Sequence, residues 1–592
     1  MTVPREGRII RSCSRINKSP VKDKIHSTGI QADEHKSLSL PTECLFNIFS
    51  YLADERQSLH SCILVNRHWC RAAISVLWSR PFVLLYLKTK KKHKSPDTPR
   101  RGPFKLLSMC LLCLGHENSS HLLLKLKKRK GRPLFDYLSF IEELHVRDLC
   151  RAVLQGLAYK KKKKTVRNVK IKLDRVFSKF VEQIVMRVPH SFKEDIKDDA
   201  LGGVTEFAGT MCQLLLDNCH RLKTLCVRLD IDLDGFADPY RRIKAYIADS
   251  HGLSTLTEFE WRANAPSAEL LQALTNATSK LTTVRVYRLP LTSWDDTRVG
   301  ESLITLIRAQ RKLIHFELGW TGRDCTSIIE ALEHHASTLQ SLHFIGVSFR
   351  SWKPLKILSS TIQLKSLKFH ACRNVTAELL DSLAHGHYPH LTSLDFCDTK
   401  VPSALVEAML SSCGNTLESV NLGEAESCSY LIELVSVLCP KVCHFGAVIE
   451  SEDTPLLLKY LLEHHHMKSL EISGPVADMD WLFLALSIQE FPNLRHLTIK
   501  GARQQISPQT LEIFLSKSGP PIEQLKLVPC FGKGECYTEV VLRFLKGTLK
   551  DFNMVVTESG MSEDLINLAE DTIEKFECEL MWSWSMLSRY LQ

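Results

Sequence analysis

Along most of the chain, apolar residues fall in a short pattern, apolar-x-x-apolar-x-apolar, followed by a stretch with helical spacing. Instances are LKSLKF from Leu364, LTSLDF from Leu391, LESVNL from Leu417, MKSLEI from Met467, LRHLTI from Leu494 and IEQLKL from Ile522. The pattern alternates, so it predicts a strand with Leu367 and Phe369 on one face and Lys368 and His370 on the other. The remainder of each unit, as in SIIEALEHHAS, AELLDSLAHG and SALVEAMLSS, has its apolar residues at helical spacing and predicts a helix.

From Leu281 onward the units begin at Leu281, Leu313, Leu339, Leu364, Leu391, Leu417, Val442, Met467, Leu494, Ile522, Leu549 and Ile573, 24 to 32 residues apart. Looser copies begin at Ile141, Val166, Leu222 and Leu256. One strand and one helix cannot bury their apolar faces alone, so the units are expected to stack into a solenoid. Strands would line its inner wall and helices its outer wall. The units resemble leucine-rich repeats. LKSLKFHACRNVTAELLDSL is similar to the cysteine-containing subtype, and that resemblance implies that Cys372 turns inward below its strand. Other units depart from the subtype, with Asp398, Gly423 or Gly474 near that place.

The N-terminal part reads differently. LPTECLFNIFSYL, Leu40 to Leu52, predicts a helix with Cys44, Leu45, Ile48, Phe49 and Leu52 on one stripe. Phe46 and Tyr51 lie off that stripe, so the helix carries a second apolar surface. Further helices are expected over Leu59–Val65 and Arg67–Leu77, the latter with Trp69, Ala73, Val76 and Leu77 on one face. Three short helices make a marginal core that needs a partner or a neighbouring domain.

This segment resembles an F-box through Leu40-Pro41, Glu43, Leu45, Ile48-Phe49, Leu52, Val65, Trp69 and Trp78. LHSCILVNRHWCRAAISVLW is similar to the version in expanded fungal F-box families. The resemblance implies docking on a Skp-type adaptor, which joins a cullin carrying a RING subunit and a ubiquitin-conjugating enzyme. It also implies that Leu40, Pro41, Leu45, Ile48, Phe49, Leu52 and Val65 contact the adaptor. Trp69 belongs to the same set and holds the helices together.

At 592 residues the chain exceeds the size of one compact core, and 44% hydrophobic residues leave ample material to bury. The expected class is α+β multidomain, a small three-helix F-box followed by an α/β leucine-rich-repeat solenoid shaped as a horseshoe. Residues 1–37 are expected as a disordered basic tail, 38–82 as the F-box, and 83–134 as a basic, partly helical linker. Residues 135–592 are expected as the solenoid, closed by a C-terminal cap, ECELMWSWSMLSRYLQ.

The net charge of +11 is concentrated in blocks at Lys88–Lys94, Lys125–Arg132 and Lys160–Lys164, expected to be solvated loops. No nucleic-acid partner is expected from them. The twenty cysteines lie scattered through apolar segments of a long chain without a secretory signal, which predicts reduced, buried thiols. The longest apolar run, LLSMCLLCL at Leu106–Leu114, is about half a membrane span. The expected location is therefore cytoplasmic, nuclear or both, with no membrane partner.

The chain has no GxxxxGK[ST] loop, GxSxG elbow or HExxH helix, and no catalytic residue, cofactor or metal is expected. Cys110, Cys113, His116 and His121 have metal-binding donors, but they sit among leucines at helical spacing, which predicts a core helix instead. The expected role is that of a non-catalytic receptor in a Skp–cullin–F-box ubiquitin ligase, with a protein substrate on the inner wall. Outward strand positions there include Arg228, Arg262, Arg285, Tyr287, His343, Lys368 and His370, a mainly cationic set suited to an acidic or phosphorylated segment. An ordinary solvated strand face is the plainer account of the same residues. The alternative function is a repeat scaffold outside any ligase, or a nucleic-acid-associated interaction protein using the basic blocks.

Overall fold

The computed structural model describes residues 40–86, 101–114, 133–165, 198–228, 551–556 and, with short gaps, 245–530. Its N-terminal module has three helices, α1 (Thr42–Ser50), α2 (Arg56–Ile63) and α3 (Arg67–Ser79). Asn66 caps α3 by accepting a hydrogen bond from the Trp69 backbone N–H at 2.8 Å. Leu45, Phe49, Leu59, Ala72, Ala73 and Val76 form a small core of their own.

The rest is one parallel sheet of fourteen strands among the described residues, each paired with the next in chain order. Its first eight strands are Glu143–His145 (β1), Thr224–Arg228 (β2), Glu258–Arg262 (β3), Thr283–Tyr287 (β4), His315–Gly319 (β5), Ser341–Ile345 (β6), Ser366–His370 (β7) and Ser393–Asp395 (β8). Each begins two residues after a unit start read from the sequence. Among the described residues, helices make most of the crossovers that a parallel sheet requires. Inward strand residues stack in columns: the Phe369 ring lies 5.2 Å from Phe344 and 5.8 Å from Phe396. Cys372 is buried, and its thiol faces the Phe344 carbonyl at 3.4 Å.

Adjacent units are also tied by side chains. Thr255, Thr338 and Thr416 each stand just before a unit start. Their hydroxyls donate to the carbonyls of Leu222, Leu313 and Leu391, the leading residues of the preceding units, each at 2.7 Å. The starts of these three units are thus fixed against their neighbours.

The segment 83–134, expected as a partly helical linker, includes α4 (Arg101–Cys113), which packs Leu107, Cys110 and Leu111 into the solenoid core, as the leucine spacing around Cys110 predicts. Two expectations need correction or bounding. Lys160–Lys164 lie in helix α5 (Val146–Thr165), not in a loop. β1 and β2 pair directly through Leu144 and Leu225, and the copy at Val166 that falls between them in sequence lies outside the described residues. The copy at Ile573, the 1–37 tail, the C-terminal cap and the other two basic blocks lie outside the described residues. Among those described, no helix is long and apolar enough to cross a membrane.

The module abuts the start of the sheet. The Glu142 N–H donates to the Ser79 carbonyl at 2.8 Å, Trp78 packs on Tyr137 at 4.4 Å, and Phe82 is buried in the solenoid core.

Candidate functional site

Helix α1 has two apolar stripes one residue apart. Leu45 and Phe49, four residues apart, point into the module core at 1% and 2% exposure, and Phe49 meets Trp69 edge-on at 5.2 Å. Leu52 and Trp69 are half-buried against the same core. Leu45 and Phe49, expected as adaptor contacts, are therefore core residues, because a side chain holding α1 to α3 has no surface left to offer.

Ile48 leaves the stripe assigned to it and is 48% exposed, with Phe46 and Tyr51 also exposed on α1. Leu40 and Pro41 are exposed at the start of that helix, where His68 Nε2 lies 2.8 Å from the Leu40 carbonyl and fixes its approach. Leu64 and Val65 are exposed in the turn between α2 and α3. Of the fourteen exposed large apolar side chains among the described residues, six lie in this module: Leu40, Phe46, Ile48, Tyr51, Leu64 and Val65. Scattered single apolar residues need no explanation, but nearly half of those exposed are concentrated in this small module.

The open face of the sheet is the second candidate. Strand register places Glu260, Arg285, Glu317, His343, Lys368 and Asp395 in one row across β3 to β8. Arg228 and Arg262 each place Nε 2.6 Å from Glu260, and Arg285 Nε lies 3.5 Å from Glu317. Burial alone would raise the Glu260 pKa, but the Arg228 hydrogen bond and the charges of Arg262 and Arg285 hold it below the usual carboxylate value.

The row expected to be mainly cationic is thus threaded with carboxylates. Tyr287 is not a surface aromatic: it is 5% exposed, its hydroxyl donates to Glu317, and the Arg262 guanidinium covers its ring at 4.3 Å. Farther along, Lys368 pairs with Asp395 at 2.6 Å. Burial and then Lys368 hold the His370 imidazole below its ordinary pKa.

Residues from more distant units meet beside them. Lys500 Nζ lies 2.6 Å from Glu471, 3.3 Å from Asp398 and 3.2 Å from the Cys397 sulfur. His370, Cys397 and Asp398 have donor atoms within 4.8 Å of one another, a grouping that could hold a metal ion, and the Lys500 ammonium already supplies a cation there. Lys500 lies 103 and 102 residues from Cys397 and Asp398, so only the stacking of units brings them together.

The described cysteines are all free thiols. Burial raises the pKa of buried ones such as Cys372, Cys219 and Cys428 to about 12, which opposes thiolate chemistry there. Cys110 is buried in α4, whereas His116 and His121 lie outside the described residues.

A family model described as F-box-like matches residues 37–84. Those residues form an F-box-like domain, followed by an α/β repeat solenoid. No curated protein matches the chain. Among solved structures, the crystal structure of the Rad7 and Elc1 complex in yeast aligns over 67% of this chain and 97% of its own, at 12% identity and a TM-score of 0.38.

Proposed function

We propose that the chain is a non-catalytic substrate receptor of a Skp–cullin–F-box ubiquitin ligase. Its F-box-like domain docks on a Skp-type adaptor, and the open face of its solenoid holds a protein target. The observation that carries the proposal is the apolar surface formed by Leu40, Phe46, Ile48, Tyr51, Leu64 and Val65 on a domain matched by the F-box-like model. Through the adaptor, the receptor would join a cullin, its RING subunit and a ubiquitin-conjugating enzyme. Holding a target beside that enzyme raises its effective concentration, which needs no catalytic group on this chain.

The test is co-expression with a Skp-type adaptor followed by size-exclusion chromatography. Wild type should co-elute with the adaptor, and an Ile48→Ala/Tyr51→Ala/Val65→Ala variant should elute alone while keeping its circular dichroism. A folded wild type that never co-elutes overturns the proposal and favours the scaffold role.

A further inference from the structure

Where an inner strand ends, the chain leaves the sheet through a residue in the left-handed region. Gly346 and Gly474 do this at φ 62° and 107°, a conformation open to glycine at no steric cost. After β4, β5 and β7 the same position is Arg288, Trp320 and Ala371, at φ 57°, 53° and 52°; Trp320 is the bulkiest of them. For a bulky side chain that is a genuine outlier, and it is not offset by burial, since Trp320 is 51% exposed. Of the non-glycine residues that leave a strand this way, Arg288 and Ala371 are half-buried, and Trp320 presents a large apolar ring to solvent.

The surroundings are shaped to hold the ring in place. A Cβ on Gly346 would stand 2.5 Å from the Trp320 ring, so only glycine lets the indole lie there. One unit earlier, a Cβ on Gly319 would stand 2.2 Å from the Tyr287 ring, and the Arg262 guanidinium lies 4.3 Å above that ring. Arg262 lies on Tyr287, and Trp320 follows one unit on, so the three line the ends of successive strands as a shelf. Along it, Arg228, Arg262 and Arg285 are 43%, 39% and 31% exposed, while Glu260 and Glu317 beneath them are 8% and 12%. The guanidiniums are the outer layer, and their charge exceeds that of the carboxylates by one.

We propose that this shelf docks a short acidic segment of a protein target. An apolar or aromatic side chain of that segment lies on the Trp320 indole, and its carboxylates meet the outer edges of Arg228, Arg262 and Arg285. Tryptophan and arginine are the residues that most often dominate binding energy at interfaces. A single excess positive charge suits one or two carboxylates. It does not suit a nucleic-acid backbone, whose binding grows with the number of phosphates neutralised.

The inference rests on the proposal that the open face holds a protein target, yet it is tested without the adaptor. The full chain is titrated into a fluorescein-labelled random copolymer of glutamate and tyrosine, with a lysine–tyrosine copolymer and oligo-dT as counter-probes, and anisotropy is read. The glutamate–tyrosine probe should bind, in a salt-sensitive way, and the counter-probes should bind at least tenfold more weakly.

Trp320→Gly should weaken binding at least tenfold while the melting temperature holds or rises, because glycine accepts the left-handed turn. Trp320→Asn, also tolerant of that turn, should behave alike. Ile48→Ala should leave probe binding unchanged, so loss of adaptor docking and loss of the shelf are read separately. Three outcomes overturn the proposal. The probe fails to bind wild type; Trp320→Gly and Trp320→Asn bind as wild type does; or oligo-dT binds more tightly than the probe and depends on Trp320.

Discussion

Ile48 and Phe49 are neighbours in sequence with opposite surroundings, and their substitution separates folding from docking. Phe49 is 2% exposed and packs on Trp69 within a core of six buried residues. Truncating a buried phenylalanine costs about 3–5 kcal/mol, comparable with everything so small a core supplies. Phe49→Ala should therefore unfold the module and lose the adaptor as a consequence. Ile48 is 48% exposed, and Ile48→Glu keeps a good helix former at a site that water already reaches. Its effect on stability should stay within about 1 kcal/mol. In a complex it places an unpaired carboxylate in an apolar contact, a loss of about 3 kcal/mol or more, which is over a hundredfold in Kd. Limited proteolysis and circular dichroism report the module, and isothermal titration with the adaptor reports docking. Unchanged affinity for Ile48→Glu, or a protease-resistant Phe49→Ala module that fails to bind, would refute this division of roles.

Other perturbations probe the solenoid. Burial alone would lower the His145 pKa, but hydrogen bonds to Asp148 and Glu143 outweigh it and raise the pKa to about 9. The stabilisation from His145 is thus fully present below its unfolded value near 6.5 and lost as pH rises through about 9. A melting temperature that declines over that window in wild type should decline less in His145→Gln. Glu260→Gln leaves the guanidiniums of Arg228, Arg262 and Arg285 without their buried carboxylate and should cost about 1–3 kcal/mol in urea unfolding. Because the Glu260 pKa is lowered, that contribution should disappear only as pH falls below the ordinary carboxylate value. Thr338→Val removes the hydroxyl bond to Leu313 and should cost about 1 kcal/mol by the same measurement.

The strands were legible because a buried leucine at every second position leaves a pattern that register cannot blur. Leu342 with Phe344 and Leu367 with Phe369 are spaced in the sequence as they stack in the core. The threonines before Leu256, Leu339 and Leu417 were equally visible as a recurring Thr-Leu pair, although nothing local says that a hydroxyl will reach the preceding unit. The charge on the open face was misjudged for a related reason. Arg262 and Arg285 read as free cations until register sets Glu260 between them and Glu317 beyond. Assigning Ile48 to the wrong stripe reflects helix geometry: one residue is about 100° of rotation, so two adjacent stripes merge when both are apolar.

The uninterrupted strand order also makes the molecule a ruler. Neighbouring strands stand about 4.8 Å apart, and the F-box-like domain is fastened at Glu142, beside β1. Arg228 closes β2, one place along, and Trp320 follows β5, four places along, so the shelf runs from about 5 Å to about 19 Å from that attachment, measured across the strands. A unit gained between β1 and β2 would shift the shelf by about 4.8 Å without altering a single contact on it. Separation from the adaptor end can thus change in fixed steps while the recognition surface stays the same.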